Sequence, residues 1–289
     1  MRLSNLKLAG ACALAITVAA GPASAQKKYD PGASDTEIRI GHLNPYSGPA
    51  SAYGQIGRTL DAFFNMVNDK GGINGRKVKF ISYDDGYSPP KAVEGVRKLV
   101  EEDKVLLVFQ TLGTPSNTAI RKYMNAKKVP QLFVATGAST WGSPKQYPWT
   151  MGWQPDYQTE GAIYAKHILA TIKDAKIGVL MQNDDYGRDY FNGFKKGLGK
   201  DAGKIVQVAT YEVADPNVDS QMIALKSSGA NVFFNITTPK FAAQAIKKAH
   251  EIGWKPVHYL NNVSISVGAV LKPAGLDASK DIISAAYIK

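Results

Sequence analysis

The sequence predicts an α/β fold of two lobes, each built on a parallel β-sheet, and three observations support this. First, short apolar strands alternate with amphipathic helices from Glu37 onward, which is typical of parallel βαβ units. Second, the alternation stops at an irregular stretch, residues 137–158, that carries three prolines and three tryptophans. Third, the alternation then resumes and continues almost to the end of the chain. The boundary between the lobes is therefore expected near residues 148–156.

The first lobe is expected over residues 35–148, with four strands and three helices. In the first helix, Ile56, Leu60 and Phe63 recur at helical spacing, and Gly71 marks its end. The predicted strands are EIRIGHL, KVKFISYDD, VLLVFQ and VPQLFVAT, and the predicted helices are YGQIGRTLDAFFNMVNDKGG, PKAVEGVRKLVEED and TPSNTAIRKYMNAKK.

The second lobe is expected over residues 156–278. Its predicted helices are TEGAIYAKHILATI, YGRDYFNGFKKGL, VDSQMIALKSSG and KFAAQAIKKAHEIG, and its predicted strands are KIGVLMQ, KIVQVATYEV, NVFFNIT and PVHYLNN. The last residues, DIISAAYIK, read as one further strand within residues 279–289. Because a parallel strand is normally followed by a helix that covers the sheet, we expect the sequence to be a fragment whose C-terminal part is missing.

The N-terminus has the pattern of a secretory signal peptide over residues 1–25. Arg2 and Lys7 precede an apolar stretch, and Ala23-Ser24-Ala25 matches a cleavage pattern. The apolar stretch is too short to span a membrane as a helix. We therefore expect cleavage after Ala25 and export to the periplasm.

Composition excludes several functional classes. The formal net charge is +11, but the basic residues are scattered, so nucleic-acid binding is not favoured. Cys12 is the only cysteine and lies in the predicted signal peptide, so no disulfide is expected in the mature chain. The histidines lack metal-ligand spacing, and the sequence contains neither G-x-S-x-G nor H-E-x-x-H. We expect no enzyme, no metal and no cofactor.

Polar loops follow the predicted strands, and parallel sheets bind ligands outside the carboxyl ends of their strands. In QTLGTPSN, Thr114 is the predicted N-cap of a helix and Pro115 its first residue. The free N–H groups there, with Gly113 allowing close approach, form a predicted seat for a carboxylate. Taken alone, this loop is explained equally well by helix capping. The neighbouring loop TGASTWG, also rich in small polar residues, favours the ligand seat.

Four motifs carry a resemblance to a known family: IGHLNPYSGPASAYG, NDKGGINGRKVKF, LGTPSNTAI and NDDYGRDY. Together they resemble the periplasmic solute-binding proteins of branched-chain amino acid-type ABC transporters, in the same order over residues 35–289. The resemblance implies a type I periplasmic binding protein fold, with two doubly wound parallel-sheet lobes joined by a hinge. It further implies a monomer that closes on a small-molecule solute and docks on a membrane permease, and a return crossing to the first lobe that starts at residues 279–289.

The resemblance also assigns roles by position. Tyr53 would form an aromatic wall, and Tyr186 would close over the solute. The two loops of the first lobe would hold the solute carboxylate, and the second lobe would supply the opposite wall. The carboxylate loops comprise Thr111, Leu112, Gly113, Thr114, Gly137, Ala138 and Ser139, and the opposite wall comprises Asn235, Thr237 and Asn262 within the 261–264 loop.

One departure from the family pattern bears on the solute. Amino-acid binders of this family place an acidic side chain in the last loop, which here reads NNVSIS. Asp184 and Asp185 are the candidate replacements. Without one of them, a buried ammonium would lack a counter-charge, and the solute would be a carboxylate without an amine.

Aromatic residues near the expected cleft favour an aromatic or otherwise apolar carboxylate; they are Tyr46, Tyr53, Tyr87, Trp141 and Trp153. Packing of the hinge is an equally good explanation of the tryptophans. The alternatives are a branched-chain or other amino-acid receptor and, less favoured, a binder of amide- or urea-type solutes or a ligand-sensing module.

Overall fold

The computed structural model describes residues 28–287 of the chain. The predicted signal peptide and its cleavage after Ala25 lie outside these residues. Within residues 28–287, no helix combines the length and the apolar character needed to cross a membrane.

Nine strands in the described chain form two parallel sheets. The first sheet contains β1 (Glu37–Asn44), β2 (Lys77–Asp84), β3 (Leu107–Phe109), β4 (Gln131–Val134) and β5 (Thr150–Gly152), and the second contains β6 (Ile177–Gln182), β7 (Ile205–Tyr211), β8 (Val232–Ile236) and β9 (Val257–Leu260). The strand order is β2-β1-β3-β4-β5 in the first sheet and β7-β6-β8-β9 in the second. All pairings between these strands are parallel. The predicted α/β fold with parallel sheets is thus confirmed.

Helices connect successive strands. Seven of them have nine residues or more: α1 (Gly54–Asp69), α2 (Pro89–Arg97), α3 (Thr114–Lys127), α4 (Tyr157–Thr171), α5 (Asp185–Leu198), α6 (Asp219–Ser227) and α7 (Pro239–Glu251). Short 3-10 turns lie at Ser51–Tyr53, Ser139–Gly142, Gly199–Lys204 and Asn262–Ser264. The remaining helical turns are π-helical at Lys98–Glu102 and Val267–Leu271, and the latter continues into α8 (Lys272–Ala274).

Both sheets carry helices on two faces, because successive side chains of a strand point to opposite sides. In β8, Phe234 packs against Phe194 of α5, with ring centroids 4.6 Å apart. Its neighbour Phe233 points to the other face, into a cluster with Met222 of α6 and residues of α7. The central strands β6 and β8 are buried along their whole length. This explains why they read as continuous apolar runs in the sequence.

The first sheet follows the same rule through β3. Val108 packs with Ile120 of α3 and with residues of α2 on one face. Phe109 points to the opposite face, where it meets Phe64 of α1 at a centroid distance of 6.1 Å. The doubly wound arrangement predicted for each lobe is therefore present in both sheets.

Two predicted elements differ in the structure. β5 lies inside the stretch 137–158 that we expected to be irregular, because a three-residue strand is too short to show a period. The segment DIISAAYIK forms a single parallel bridge, between Ile283 and Tyr259 of β9. The amide of Ile283 donates to the carbonyl of His258 at 2.8 Å, so this segment starts alongside the second sheet.

Helices α4 and α5 pack in close contact through glycines. A Cβ atom at Gly193 of α5 would lie 2.2 Å from Cα of Gln158, and one at Gly161 of α4 would lie 2.5 Å from the carbonyl oxygen of Tyr190. Real side chains do not approach backbone atoms this closely. The approach of the two helices therefore depends on the absence of side chains at these positions.

We predict that Gly193→Ala lowers the free energy of unfolding by about 1–3 kcal/mol, because the methyl group overpacks the contact between α4 and α5. The measurement is urea denaturation followed by circular dichroism. Gly203→Ala is the matched control, since a Cβ there meets no atom within 4 Å. Equal stability of the two variants would contradict the packing account.

Candidate functional site

A cavity of about 270 Å³ lies where the carboxyl ends of strands from both sheets meet. The loops after β1, β2, β3 and β4 form one wall, and those after β6, β8 and β9 form much of the other. The residues that line it are Tyr53, Ile56, Tyr87, Leu112, Gly113, Thr114, Ala135, Gln154, Tyr157, Tyr186, Thr238, Asn262, Val263, Ile265, Ala286 and Tyr287. This edge of the sheets is where a parallel fold places its ligand site.

Half of the twelve candidate residues from the sequence line this cavity: Tyr53, Leu112, Gly113, Thr114, Tyr186 and Asn262. They come from four different strand ends, and the fold brings them together. Their role in ligand binding stays a prediction.

The other first-lobe candidates lie in the surrounding structure. The hydroxyl of Thr111 donates to the Asn117 side chain and is buried. The carbonyl of Gly137 accepts the amide of Tyr157 at 2.7 Å. Ala138 and Ser139 lie at the junction of the two sheet units, and the Ser139 hydroxyl donates to Asp189 of α5 at 2.7 Å. These four residues shape or join the walls and do not line the cavity.

Asn235 and Thr237 also lie behind the wall. The hydroxyl of Thr237 donates to the side chain of Asn235 at 2.6 Å, and the Asn235 amide nitrogen lies 3.2 Å from Nε2 of His258. The carbonyl of Thr237 accepts the phenol of Tyr186 at 3.2 Å. The pair therefore positions Tyr186, and the next residue, Thr238, is the one that reaches the cavity.

Tyrosines dominate the walls. Tyr53 and Tyr87 were expected near the cleft, whereas Tyr157, the first residue of α4, was missed by sequence reasoning. The sequence does contain a signal for Tyr157: Asp156 is a typical helix N-cap residue, so the residue after it is expected to begin the helix. Burial raises the pKa of the phenols of Tyr53, Tyr87, Tyr157 and Tyr186. All four are therefore neutral groups that offer a ring face and one hydroxyl.

The other expected aromatic residues lie outside the cavity. Tyr46 lines a separate pocket, where its hydroxyl shares a 2.6 Å hydrogen bond with the hydroxyl of Ser82. Trp141 is buried, with the Arg121 guanidinium 5.1 Å from its ring centroid, and Trp153 is 48% exposed. Neither tryptophan lines the cavity, and packing of the hinge stays an explanation only for the buried Trp141.

Hydrogen bonds cross the cavity between the two sheet units. The phenol of Tyr53, which follows β1, donates to the carbonyl of Val263, which follows β9, at 2.7 Å. The side-chain amide of Gln182, at the end of β6, lies 3.5 Å from the phenol of Tyr87. The structure therefore has the two units in contact around the cavity.

The N-terminus of α3 opens onto the cavity without a side-chain cap. Its N-cap residue is Gly113, at φ 97°, and no side chain bonds the first-turn amides. The prediction that Thr114 is the N-cap was wrong, because Thr114 is already helical and its hydroxyl pairs with that of Thr136 at 2.6 Å. Pro115 lies in the first turn, as predicted. The uncapped amides and the helix dipole make this end attractive to an anion.

The aspartates proposed as counter-charges have other partners. Asp184 caps α5, and its Oδ1 accepts the amides of Tyr186 and Gly187 at 3.0 and 3.2 Å. Asp185 is exposed and pairs with Arg188 at 3.0 Å. Among the described residues, no side chain that lines the cavity is charged.

Metal binding has no geometric support in the part of the chain that the structure describes. No group of three or more histidine, cysteine, aspartate or glutamate side chains in residues 28–287 is arranged to hold an ion.

Comparison with known proteins identifies relatives of the chain. The "Leu/Ile/Val-binding protein homolog 3" of Brucella melitensis is 26% identical over 232 residues, which are 80% of this chain and 60% of that protein. The chain therefore spans less than two thirds of the length of this relative.

Solved structures show the same fold. A substrate-binding periplasmic protein from Ralstonia solanacearum aligns with a TM-score of 0.77 at 26% identity, covering 86% of this chain and 69% of that one. A periplasmic binding protein type 1 from Bordetella pertussis aligns with a TM-score of 0.76 at 18% identity, covering 86% and 68%. At that identity the second match supports the fold alone.

The family resemblance drawn from the four motifs is confirmed by a family match that spans most of the chain. Residues 37–288 match the family described as periplasmic binding protein. The chain belongs to the periplasmic binding protein family.

Proposed function

We propose that the chain is the extracytoplasmic solute-binding receptor of an ABC importer and captures a small carboxylate without an amine. The observation that carries this proposal is the cavity between the two sheets. Its walls are uncharged and rich in tyrosine, and the uncapped N-terminus of α3 opens into it.

The solute carboxylate would sit on the first turn of α3. Gly113 has no Cβ atom, so a ligand oxygen has room to approach the backbone. Pro115 has no N–H and the amide of Asn117 donates to the carbonyl of Gly113, so the amides of Thr114 and Ser116 are the donors left for a ligand. A carboxylate satisfies such donors while neutralising the helix dipole. Each charge-assisted hydrogen bond of this kind contributes about 1.5–3 kcal/mol. One anionic group on the solute is therefore enough to orient it.

The rest of the solute would lie among the aromatic rings. Tyr53, Tyr87, Tyr157 and Tyr186 surround the space beyond α3, with Ile56 beside them. Buried rings favour an apolar or aromatic body, and the hydroxyls of Tyr53 and Tyr186 donate to carbonyls of the protein. For this reason we propose an aryl or branched aliphatic acid.

An amine on such a solute would lack a counter-charge in the cavity lining of the described residues. A buried ammonium without a counter-charge is strongly disfavoured. Because Asp184 caps α5 and Asp185 pairs with Arg188 at the surface, neither is free to provide that charge. This argument favours acids over amino acids.

Capture would proceed by closure of the predicted lobes about their junction. Contacts such as Tyr53 to Val263 join the two sheet units and form only when these units are close. A solute that touches both walls would shift the balance towards the closed form, which would dock on a membrane permease as a monomer. The relatives are solute-binding proteins, which supports a periplasmic receptor without enzymatic activity.

The second candidate is an amino-acid receptor of the same transporter class. Two observations favour it: the relative from Brucella melitensis is named for leucine, isoleucine and valine, and a buried carboxylate, Glu160, lies directly behind Asn262 of the cavity wall. A solute ammonium would then interact with that acid through the Asn262 side chain.

We predict that 3-phenylpropanoate and 4-methylpentanoate bind the full chain at least about 10-fold more tightly than their carboxamides, because only the acids make charge-assisted bonds to α3. The measurement is isothermal titration calorimetry, after a thermal-shift screen in which a ligand at 100 Kd stabilises the fold by about 2.7 kcal/mol. Phenylalanine and leucine serve as the amine-bearing comparison. Equal binding of acids and carboxamides would refute the carboxylate seat, and tighter binding of the amino acids would favour the second candidate.

We predict that Tyr53→Phe raises Kd for the bound acid by about 3- to 10-fold, because closure no longer forms the hydrogen bond to Val263. The free energy of unfolding should change little, since the phenol is hydrated when the lobes are apart. Tyr123→Phe is the control, because that hydroxyl bonds Glu101 at the surface, far from the cavity. Unchanged affinity in Tyr53→Phe would contradict closure through this bond.

A further inference from the structure

One side chain of the cavity wall, that of Asn262, is held by hydrogen bonds to a residue that does not line the cavity. Asn262 lies in the turn after β9, and its backbone amide donates to Oε1 of Glu160 at 2.8 Å. Its side-chain nitrogen donates to Oε2 of the same carboxylate. Glu160 lies on α4, only 5% exposed, and does not line the cavity itself.

The carboxylate of Glu160 receives four hydrogen bonds from uncharged donors. Besides the two from Asn262, the phenol of Tyr164 donates to Oε1 at 2.8 Å and that of Tyr190 donates to Oε2 at 2.7 Å. Burial raises the pKa of Glu160, and the four donors oppose that shift. The carbonyl of Leu260 competes at 3.1 Å for the single hydrogen of the Tyr164 phenol. The two N–H groups of Asn262 and the phenol of Tyr190 donate without such a competitor, which fits the ionised carboxylate, since it only accepts.

This arrangement leaves one orientation for the Asn262 amide. A carboxylate accepts from NH₂ and repels a carbonyl oxygen, so the nitrogen faces Glu160 and Oδ1 faces away from it. Among the described residues, Oδ1 has no hydrogen-bond partner, and it is not one of their fully buried unpaired atoms, so it is accessible on a residue that lines the cavity. Asn262 therefore offers the cavity wall an acceptor that no described residue uses.

We propose that Glu160 is a positioning residue that holds the Asn262 carbonyl oxygen towards the cavity, so that the site selects solutes carrying a hydrogen-bond donor. The inference rests on the function proposed above and adds a second recognition group to the carboxylate. For an acid without an amine, the donor is a hydroxyl; for an amino acid, it is the ammonium. A solute without a donor leaves Oδ1 unpaired and binds more weakly.

The substitution Glu160→Gln should reverse the orientation of the amide. The fixed backbone N–H of Asn262 must face the Gln oxygen, which leaves the Gln nitrogen opposite the Asn262 side-chain nitrogen. Two donors repel, so the Asn262 amide turns and its own nitrogen faces the cavity. The variant keeps the size and shape of residue 160 and converts an acceptor on the wall into a donor.

The test compares two probes that differ in one hydroxyl, 3-phenyllactate and 3-phenylpropanoate, by calorimetry on the full chain. We expect the wild type to prefer 3-phenyllactate by about 10-fold, the effect of leaving one buried polar group unpaired. Glu160→Gln should reduce this ratio to about one or below, since its wall no longer offers an acceptor. The double variant Glu160→Gln with Asn262→Asp should restore the preference, because Asp accepts from Gln with one oxygen and presents the other to the cavity.

Tyr190→Phe is the matched structural control. It removes one hydrogen bond from Glu160, keeps the aromatic stack with Tyr157, and leaves both bonds to Asn262 in place. Its melting temperature should fall while the ratio of the two affinities stays that of the wild type. An equal loss of affinity for both probes in Glu160→Gln, or a lost ratio in Tyr190→Phe, would show a merely structural role and overturn the proposal.

Phenylalanine is the third probe and distinguishes the kind of donor. Tighter binding of phenylalanine than of 3-phenyllactate assigns the donor to an ammonium, which contradicts the proposal of an acid without an amine but supports selection through Asn262. Tighter binding of 3-phenyllactate than of phenylalanine supports both the acid without an amine and the selection through Asn262.

A ligand-free measurement separates the inference from the proposed function. In nitrogen-15 NMR spectra, the side-chain amide hydrogens of Asn262, assigned by their loss in Asn262→Asp, should exchange slowly in the wild type and rapidly in Glu160→Gln. If none of the three probes binds while this difference is observed, the proposed function fails and the positioning by Glu160 stands. Equal exchange in both proteins would overturn the positioning.

Discussion

The parallel pairing of all strands within each sheet is the constraint on which the rest of this structure depends. Because every strand runs in the same direction, each loop after a strand emerges at one edge of its sheet. The two sheets bring these edges together around one cavity, so residues as distant in sequence as Tyr53 and Val263 meet there. The helices that return the chain pack on both faces and leave this edge open for a ligand.

Recognition at this cavity would come from backbone and amide groups, since no charged side chain of the described residues lines it. α3 contributes an uncapped helix start, whereas α5 has its own aspartate, Asp184, over the equivalent amides. The buried carboxylate of Glu160 lies behind Asn262 and accepts both of its N–H groups. Under the two proposals, the site would offer a solute two amide donors from α3, one acceptor from Asn262 and the neutral phenol rings of the lining.

Much of the fold was predictable from local pattern. Continuous apolar runs revealed β6 and β8, because both faces of these strands are buried. Helical spacing revealed α1, although Phe63 of that pattern is 49% exposed and Phe64 is the buried ring. The three-residue β5 and the single bridge at Ile283 were not predictable, since so short a pairing depends on the neighbouring strand and not on its own residues.

The site was predictable in part, for a related reason. Small polar residues mark the loops after the strands, and Gly113 and Asn262 of two such loops line the cavity, while their role in binding stays a prediction. The same composition also occurs where a residue joins structural elements, as Ser139 does with Asp189. Glu160 was missed because a glutamate on an amphipathic helix is normally exposed, and only the tertiary contacts of Tyr164, Tyr190 and Asn262 reveal that it is buried.

The most direct test of the central claim is the position of the carboxylate in a crystal structure of the full chain with a bound acid. The account predicts that a carboxylate oxygen lies within hydrogen-bonding distance, about 2.7–3.2 Å, of the backbone amide of Thr114 or Ser116, with the body of the solute between Tyr53 and Tyr186. A carboxylate bound elsewhere, with the first turn of α3 occupied only by water, would contradict it.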